Sequence, residues 1–255
     1  MMKTNIYTRF LFLLIVLITI SSIICPDKYI HAKEEDYAKK KVYLTFDDGP
    51  IPVITDKILD TLKEQNVKAT FFVVGKEIPE REELLKRMHN EGHSIGLHTY
   101  SHKFKKIYRS EDALVDEMLM TQKKIKETIN ISPTAVRFPG GSSHHLTRSL
   151  LDNLHSYNLK VYDWNVDLYD GSKADAPVYQ IIKNGENIKP QYSRVIILAH
   201  CNSNNMNTVK ALPEIIKFYK DSGFEFCAIT DDTDEYYYRL KQSFKDFYES
   251  IKLFR

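Results

Sequence analysis

Between residues 42 and 229, strand-type apolar runs alternate with helix-type amphipathic stretches, and this alternation restricts the fold more than anything else in the chain. Runs rich in Val, Ile, Phe and Tyr fall at 42–46, 70–74, 94–97, 134–138, 160–164, 194–199 and 224–229. Helical patterns lie between them. Ile54, Ile58 and Leu62 recur at four-residue spacing. Ser110 reads as an N-cap, with Glu111 and Asp112 in the first turn and Leu114, Met118 and Ile125 on one face. Such alternation implies a parallel sheet or barrel with helices outside it. Seven strands favour barrel-like closure, although the periodicity is also compatible with an open sheet. A chain of 255 residues suffices for one such domain.

The two ends read differently. Phe10 to Ile20 is apolar except for Thr19 and follows Lys3 and Arg9. That run is shorter than the roughly 20 residues of a membrane span and fits a secretory apolar region of about 7–15. Residues 1–32 are expected to be a signal peptide or, alternatively, an uncleaved N-terminal membrane anchor. Residues 33–40 are expected to be a charged linker, and 41–230 the folded α/β domain. In residues 231–255, Tyr237, Leu240, Phe244, Phe247 and Ile251 form a stripe at 3,4,3,4 spacing, which predicts an appended C-terminal helix packed on the barrel.

Of 36 basic and 34 acidic side chains, Lys3, Arg9, Lys28 and Asp27 lie in residues 1–32, so the remainder carries 33 of each sign. That balance offers no field to attract nucleic acid. Beyond Cys25 only Cys201 and Cys227 remain, too few for a disulfide framework. Both lie near the ends of successive strand-type runs, so a bridge between them is one expectation.

Reactive side chains gather where strand-type runs end. Asp47-Asp48-Gly49-Pro50 follows the first, His98-Thr99-Tyr100-Ser101-His102 the third, Arg137 closes the fourth, Asp167 and Asp170 follow the fifth, and His200 the sixth. In parallel α/β folds the carboxyl ends of the strands converge on one face, where sites are built. Two imidazoles and one carboxylate suit a borderline divalent ion such as zinc and leave a position open for water. One of the two aspartates can be the third ligand, and the other is then available as a base, because adjacent side chains diverge. Taken singly, each motif has a plainer reading: Asp47-Asp48-Gly49-Pro50 as a turn, the histidines as surface residues, Arg137 as a surface charge. Their common position at strand ends favours a site. His89, His93, His144, His145 and His155 share no such position and are expected to be structural.

Thr45-Phe46-Asp47-Asp48-Gly49 and His98-Thr99-Tyr100-Ser101-His102 resemble the polysaccharide deacetylases with the NodB-homology domain, carbohydrate esterase family 4. The resemblance continues in order through Lys68-Ala69-Thr70-Phe71-Phe72, Gly92-His93-Ser94-Ile95-Gly96, Arg137-Phe138-Pro139-Gly140-Gly141, Trp164-Asn165-Val166-Asp167 and Ile197-Leu198-Ala199-His200. It implies a distorted (β/α)7 barrel and metal-dependent removal of N-acetyl groups from a sugar polymer, most readily peptidoglycan. Chitin-like chains, an exopolysaccharide, O-acetyl xylan, or glycan binding without catalysis are the alternatives. It further implies that Asp48, His98 and His102 hold zinc, cobalt or another transition metal, and that Asp47 is the base anchored by Arg137. The Gly140 N–H would stabilise the oxyanion, and His200, aligned by Asp170, would be the acid. Leu198 would line the pocket for the acetyl methyl, with Tyr100 and Trp164 as walls for the sugar. An exported protein, secreted, wall-associated or held by its N-terminal segment, would meet such a polymer. Three positions depart from the family pattern. Gly140 stands where tyrosine is frequent. Cys201 replaces an aspartate. Gly171 follows Asp170 where tryptophan is usual, so Asp167 is the alternative partner for His200.

Overall fold

β1 (Lys41–Asp47) is the hub of the molecule. The structure, a computed structural model, describes residues 39–173 and 175–241. The expectations for residues 1–38 and 242–255 therefore lie outside the described residues. Along one edge β1 pairs with β7 (Arg194–His200) over its whole length, from Lys41 opposite Arg194 to Asp47 opposite His200. Its other edge is shared. β2 (Thr70–Val73) takes the carboxyl end and β8 (Glu225–Phe226) the amino end. Beyond β2 come β3 (Ser94–Leu97), β4 (Ala135–Val136) and β5 (Lys160–Val161), and beyond β7 comes β6 (Val166–Asp167). Every pairing is parallel. Among the described residues β5 and β6 do not pair, so the barrel has an open seam, and this is its distortion.

The helices cover the outside: α1 (Ile54–Glu64), α2 (Glu82–Asn90), the one-turn α3 (Phe104–Ile107), α4 (Glu111–Ile129), α5 (Arg148–Ser156), α6 (Val178–Gly185) and α7 (Met206–Asp221). Ser110 caps α4 as its sequence position implies, accepting from the Ala113 N–H at 3.1 Å. Because successive strand side chains alternate in direction, each strand feeds two cores. Val42, Leu44, Phe46, Val195, Ile197 and Ala199 pack outward against the helices. Tyr43, Phe72, Ala135, Tyr162, Ile196 and Ile229 fill the barrel interior. Thr45, Asp47, Leu198 and His200 share that inward direction, which carries the reactive groups to the top of the interior core.

Three expectations are corrected. β4, β5 and β8 are two-residue strands, shorter than the runs that announced them, and β6 was not foreseen because two residues show no alternation. Residues 231–241 contain no helix. Instead Tyr236 bridges to Tyr162 as a parallel strand residue, packs against the interior core, and leaves Tyr237 against the outer one. Hydrogen bonds from the Tyr236 N–H to Val161 and from the Asp163 N–H to Tyr236 hold this strap extended, so pairing with β5 overrides the helical spacing. Finally, Cys201 and Cys227 are free. Their N–H groups bond to the carbonyls of Asp47 and Val42, five residues apart on β1. At about 3.3 Å per residue that is roughly 16 Å, against the ~7 Å limit for a disulfide.

Gly96 is required by the interior packing. A Cβ there would lie 2.5 Å from the Phe72 ring, and that ring carries the Arg137 guanidinium 4.1 Å above it. Gly96→Ala is expected to lower stability by about 1–3 kcal/mol through overpacking, measured by urea unfolding.

Candidate active site

Asp47 ends β1 pointing inward and is 2% exposed. Its Oδ1 accepts from Arg137 Nη1 at 3.0 Å. Arg137 is wholly buried, and its other donors reach Thr45 Oγ1 (2.5 Å), the Tyr162 carbonyl (2.8 Å) and the Asp163 carbonyl (3.3 Å). A buried ion pair is tolerable when each charge is hydrogen-bonded in this way. The carbonyl of Arg137 meanwhile accepts from His98 Nδ1 at 2.9 Å. That bond fixes the tautomer of His98 and leaves Nε2 free as a ligand atom.

His98 Nε2 and His102 Nε2 lie 3.5 and 3.2 Å from Asp48 Oδ1. These three atoms all fall within 4.8 Å of one another. Metal–ligand bonds of about 2.0–2.1 Å in a tetrahedron give ligand–ligand edges of ~3.3 Å, so the spacing suits a small divalent ion. A second observation agrees. Asp48 Oδ2 accepts from Asn202 Nδ2 at 2.6 Å, while Oδ1 is buried with no hydrogen-bond partner. Burial pushes the Asp48 carboxyl up, but the charges of His98, His102 and His200 and the Asn202 amide outweigh it and hold the pKa below the usual range. Burial, then the charge of His98, pushes His102 down toward the neutral form that ligates. Asp48 (φ 76°), Thr99 (φ 63°) and His102 (φ 52°) are all left-handed without being glycine, a backbone strain that concentrates at functional sites. The loop is held from outside by Glu117 of α4. This buried carboxylate accepts from the Ser101 N–H (2.6 Å) and pairs with Lys106 (2.8 Å).

His200 faces the cluster from β7. Its Nδ1 donates to Asp170 Oδ1 at 2.8 Å, and Asp170 Oδ2 accepts from the His200 N–H (2.9 Å) and from Thr208 Oγ1 (2.7 Å). Burial disfavours the imidazolium. The Asp170 hydrogen bond and charge, helped by Asp47 and Asp48, overcome it and raise the pKa to about 9. Asp167 does not make this contact; its Oδ1 accepts from the Tyr169 N–H at 2.6 Å. Gly171 explains the departure at that position. A Cβ there would sit 2.3 Å from His200 Cε1 and 2.5 Å from Nε2, so the imidazole occupies the space of the missing side chain.

The remaining expected residues are dispersed around the rim. Gly140 is left-handed (φ 77°), and its N–H makes no hydrogen bond among the described residues. Leu198 is buried beside β6. The Trp164 ring lies against Gly141, while the Tyr100 ring packs over Gly75. Three of the unassigned histidines have other partners: His93 Nδ1 accepts from the Ala69 N–H, His145 stacks on Tyr108, and His155 pairs with Glu235. Sequence reasoning missed Asn202, Glu117, Thr208 and Asp163, which act through other side chains and carry no local motif, and it gave no role to Thr45, which stands in the first motif and accepts from Arg137. It also missed Phe104. This ring is half exposed, stands edge-on to His102 at 5.7 Å, and lies 3.3 Å from where a Gly140 Cβ would be. Phe104 thus covers the place left by the absent side chain at 140.

A carboxylate and an imidazole facing each other across a cluster that could hold a metal ion are an arrangement suited to hydrolysis. Comparisons agree. The profile of the polysaccharide deacetylase family matches residues 34–161. A peptidoglycan-N-acetylglucosamine deacetylase of Bacillus cereus is 37% identical over 201 residues, 76% of this chain and 71% of that protein. The crystal structure of the polysaccharide deacetylase Bc1974 from Bacillus cereus superposes with a TM-score of 0.69 at 36% identity, covering 76% of this chain and 94% of that one. A Streptococcus mutans CE4 esterase gives 0.70 at 32%, covering 75% and 87%. This chain belongs to the polysaccharide deacetylase family.

Gly171→Ala is expected to push the His200 ring off Asp170 and lower its titration midpoint from about 9 toward an ordinary imidazole value, read by NMR of the ring.

Proposed function

We infer that this protein hydrolyses N-acetyl groups from amino sugars of a cell-wall polysaccharide, peptidoglycan foremost, releasing acetate and leaving free amines. The observation that carries this reading is the pair of oppositely built ion pairs around one cluster: a carboxylate paired with the buried Arg137 guanidinium at 3.0 Å and an imidazole held charged by Asp170 at 2.8 Å. A divalent transition metal, zinc foremost, would be held by Asp48, His98 and His102. Bound there, it would lower the pKa of a water and polarise the acetamide carbonyl.

The chain's own groups supply the rest. Asp47 Oδ2 lies 3.7 Å from His98 Nε2, open toward the cluster while Oδ1 is held by Arg137. It takes the proton of the attacking water as that oxygen bonds to the carbonyl carbon. The Gly140 N–H donates to the oxygen that becomes negative, a contribution of roughly 2.7–4 kcal/mol for one such donor. An amide nitrogen cannot leave as an anion, so His200 Nε2 gives it a proton as the C–N bond breaks. Asp170 acts only through His200, keeping it protonated and aimed. Leu198 lines the side on which the acetyl methyl sits. The family relatives named for peptidoglycan support that polymer, and the apolar segment near the N-terminus supports export to where it lies, secreted, wall-associated or anchored. No helix among the described residues is long and apolar enough to cross a membrane.

Acetate release from purified peptidoglycan should occur with the wild type and fall by about 10²–10⁴-fold in Asp47→Asn, with metal content unchanged on both. A wild type that binds metal and glycan but releases no acetate would leave a glycan-binding protein. Comparison across chitin oligomers and O-acetyl xylan ranks the substrates. The wild-type kcat should fall as pH rises through about 9, when His200 loses its proton. In Asp170→Asn that limb should move down toward ~6.5.

A further inference from the structure

Asp47 and Asp48 are neighbours in the chain, yet their carboxylates are held by opposite kinds of donor. Asp47 Oδ1 takes a charged one, the Arg137 guanidinium, at 3.0 Å. Asp48 Oδ2 takes a neutral one, the Asn202 side-chain amide, at 2.6 Å. A cation in contact would offset the charge that draws a metal ion and would repel the ion itself. A primary amide does neither, so Asp48 is fixed in direction and keeps its full charge for the cluster. Because an ionised carboxylate only accepts, the contact also settles that the amide presents Nδ2.

Asn202 is no free surface group. It lies two residues beyond β7, in a turn closed on itself. Its N–H donates to Asn205 Oδ1 at 3.0 Å, and its carbonyl accepts from the Asn205 N–H at 3.0 Å. Asn205 is 1% exposed, and its Nδ2 donates to the Asp170 carbonyl at 3.1 Å. The amide at 202 is thus held by the buried network that also anchors the partner of His200. The other oxygen of Asp48, Oδ1, lies 3.5 Å from His98 Nε2 and 3.2 Å from His102 Nε2 and has no hydrogen-bond partner. One oxygen is therefore committed to the protein and one to the cluster. Turning both toward a single ion would stretch or break the 2.6 Å bond.

We propose that Asn202 sets which ion the cluster accepts. By holding Oδ2 it makes Asp48 a one-oxygen ligand, which favours an ion satisfied by four partners, such as zinc, over one that takes six, such as manganese. Asn202 is a positioning residue, acting through Asp48. The inference rests on the reading above that Asp48, His98 and His102 hold a metal.

The full chain is stripped of metal, and zinc and manganese, each alone, are titrated in competition with a chromogenic chelator. Two variants are compared with the wild type. Asn202→Leu keeps the branched shape and removes the donor; Asn202→Ala removes both. In each, zinc affinity is expected to fall about 10–100-fold while manganese affinity holds or rises, so the preference for zinc narrows by about tenfold or more. Cobalt(II) gives a second reading, because four-coordinate cobalt absorbs visible light far more strongly than six-coordinate cobalt. Absorbance per bound cobalt should be lower in both variants than in the wild type, a change that a folding defect does not produce. Equal losses of zinc and manganese, a loss in Asn202→Ala alone, or an unchanged preference overturns the role of Asn202. A wild type that binds neither ion overturns the metal reading itself, and this inference falls with it.

Discussion

Everything at the top of the barrel depends on the burial of Arg137. An unpaired guanidinium in that position would cost several kcal/mol, so its surroundings are constrained in every direction. Its donors reach Thr45 and Asp47 on β1 and the carbonyls of Tyr162 and Asp163 beyond β5, and its own carbonyl orients His98. One residue thus ties together the strand that carries Asp47, the strand end that carries His98, and the edge of the seam. Phe72 supports it from below, and Gly96 makes room for Phe72. Lysine, with a single compact ammonium, cannot satisfy this set.

The opposite wall is built by the inverse arrangement. There an anion, Asp170, is the buried anchor, and the histidine is the half that faces the site. Its environment is just as closed: Thr208 and the His200 N–H take one oxygen, and Asn205 holds the Asp170 carbonyl. Cys201, next in sequence, turns away beneath the Asp47–Asp48 corner and donates to the Asp47 carbonyl. Burial first, then the nearby carboxylates, pushes that thiol far up, so it stays protonated and does not compete as a thiolate.

The long strands and helices were legible because their patterns are long. β1 and β7 alternate over seven residues, and α4 announces itself with Ser110 and an apolar face. β6 was not, since two residues carry no period. The strap misled because Tyr237 and Leu240 fit a helical spacing, while its backbone bonds are made to β5, and only tertiary structure records those. In the site, Asp47, Asp48, His98, His102, Arg137 and His200 could be found in the sequence because each ends a strand. Glu117 could not, because it reaches the site from the middle of α4 and only folding brings it near; Asn202 and Asp163 sit at strand ends too, but an amide and a carboxylate there without a second motif residue gave no signal. Gly171 looked like a loss against the family pattern. It is the space in which the imidazole sits.

The left-handed backbone at Asp48, Thr99 and His102 has a further consequence. Each such residue holds about 1–3 kcal/mol of strain, carried by the surrounding fold through contacts such as Glu117 to Ser101. The rim therefore sits higher in free energy than the strands beneath it, and its relaxation needs no loss of the barrel. As heat or denaturant weakens the molecule, the geometry of Asp48, His98 and His102 is therefore expected to loosen before the barrel opens, which would make loss of the site and loss of the fold separate events.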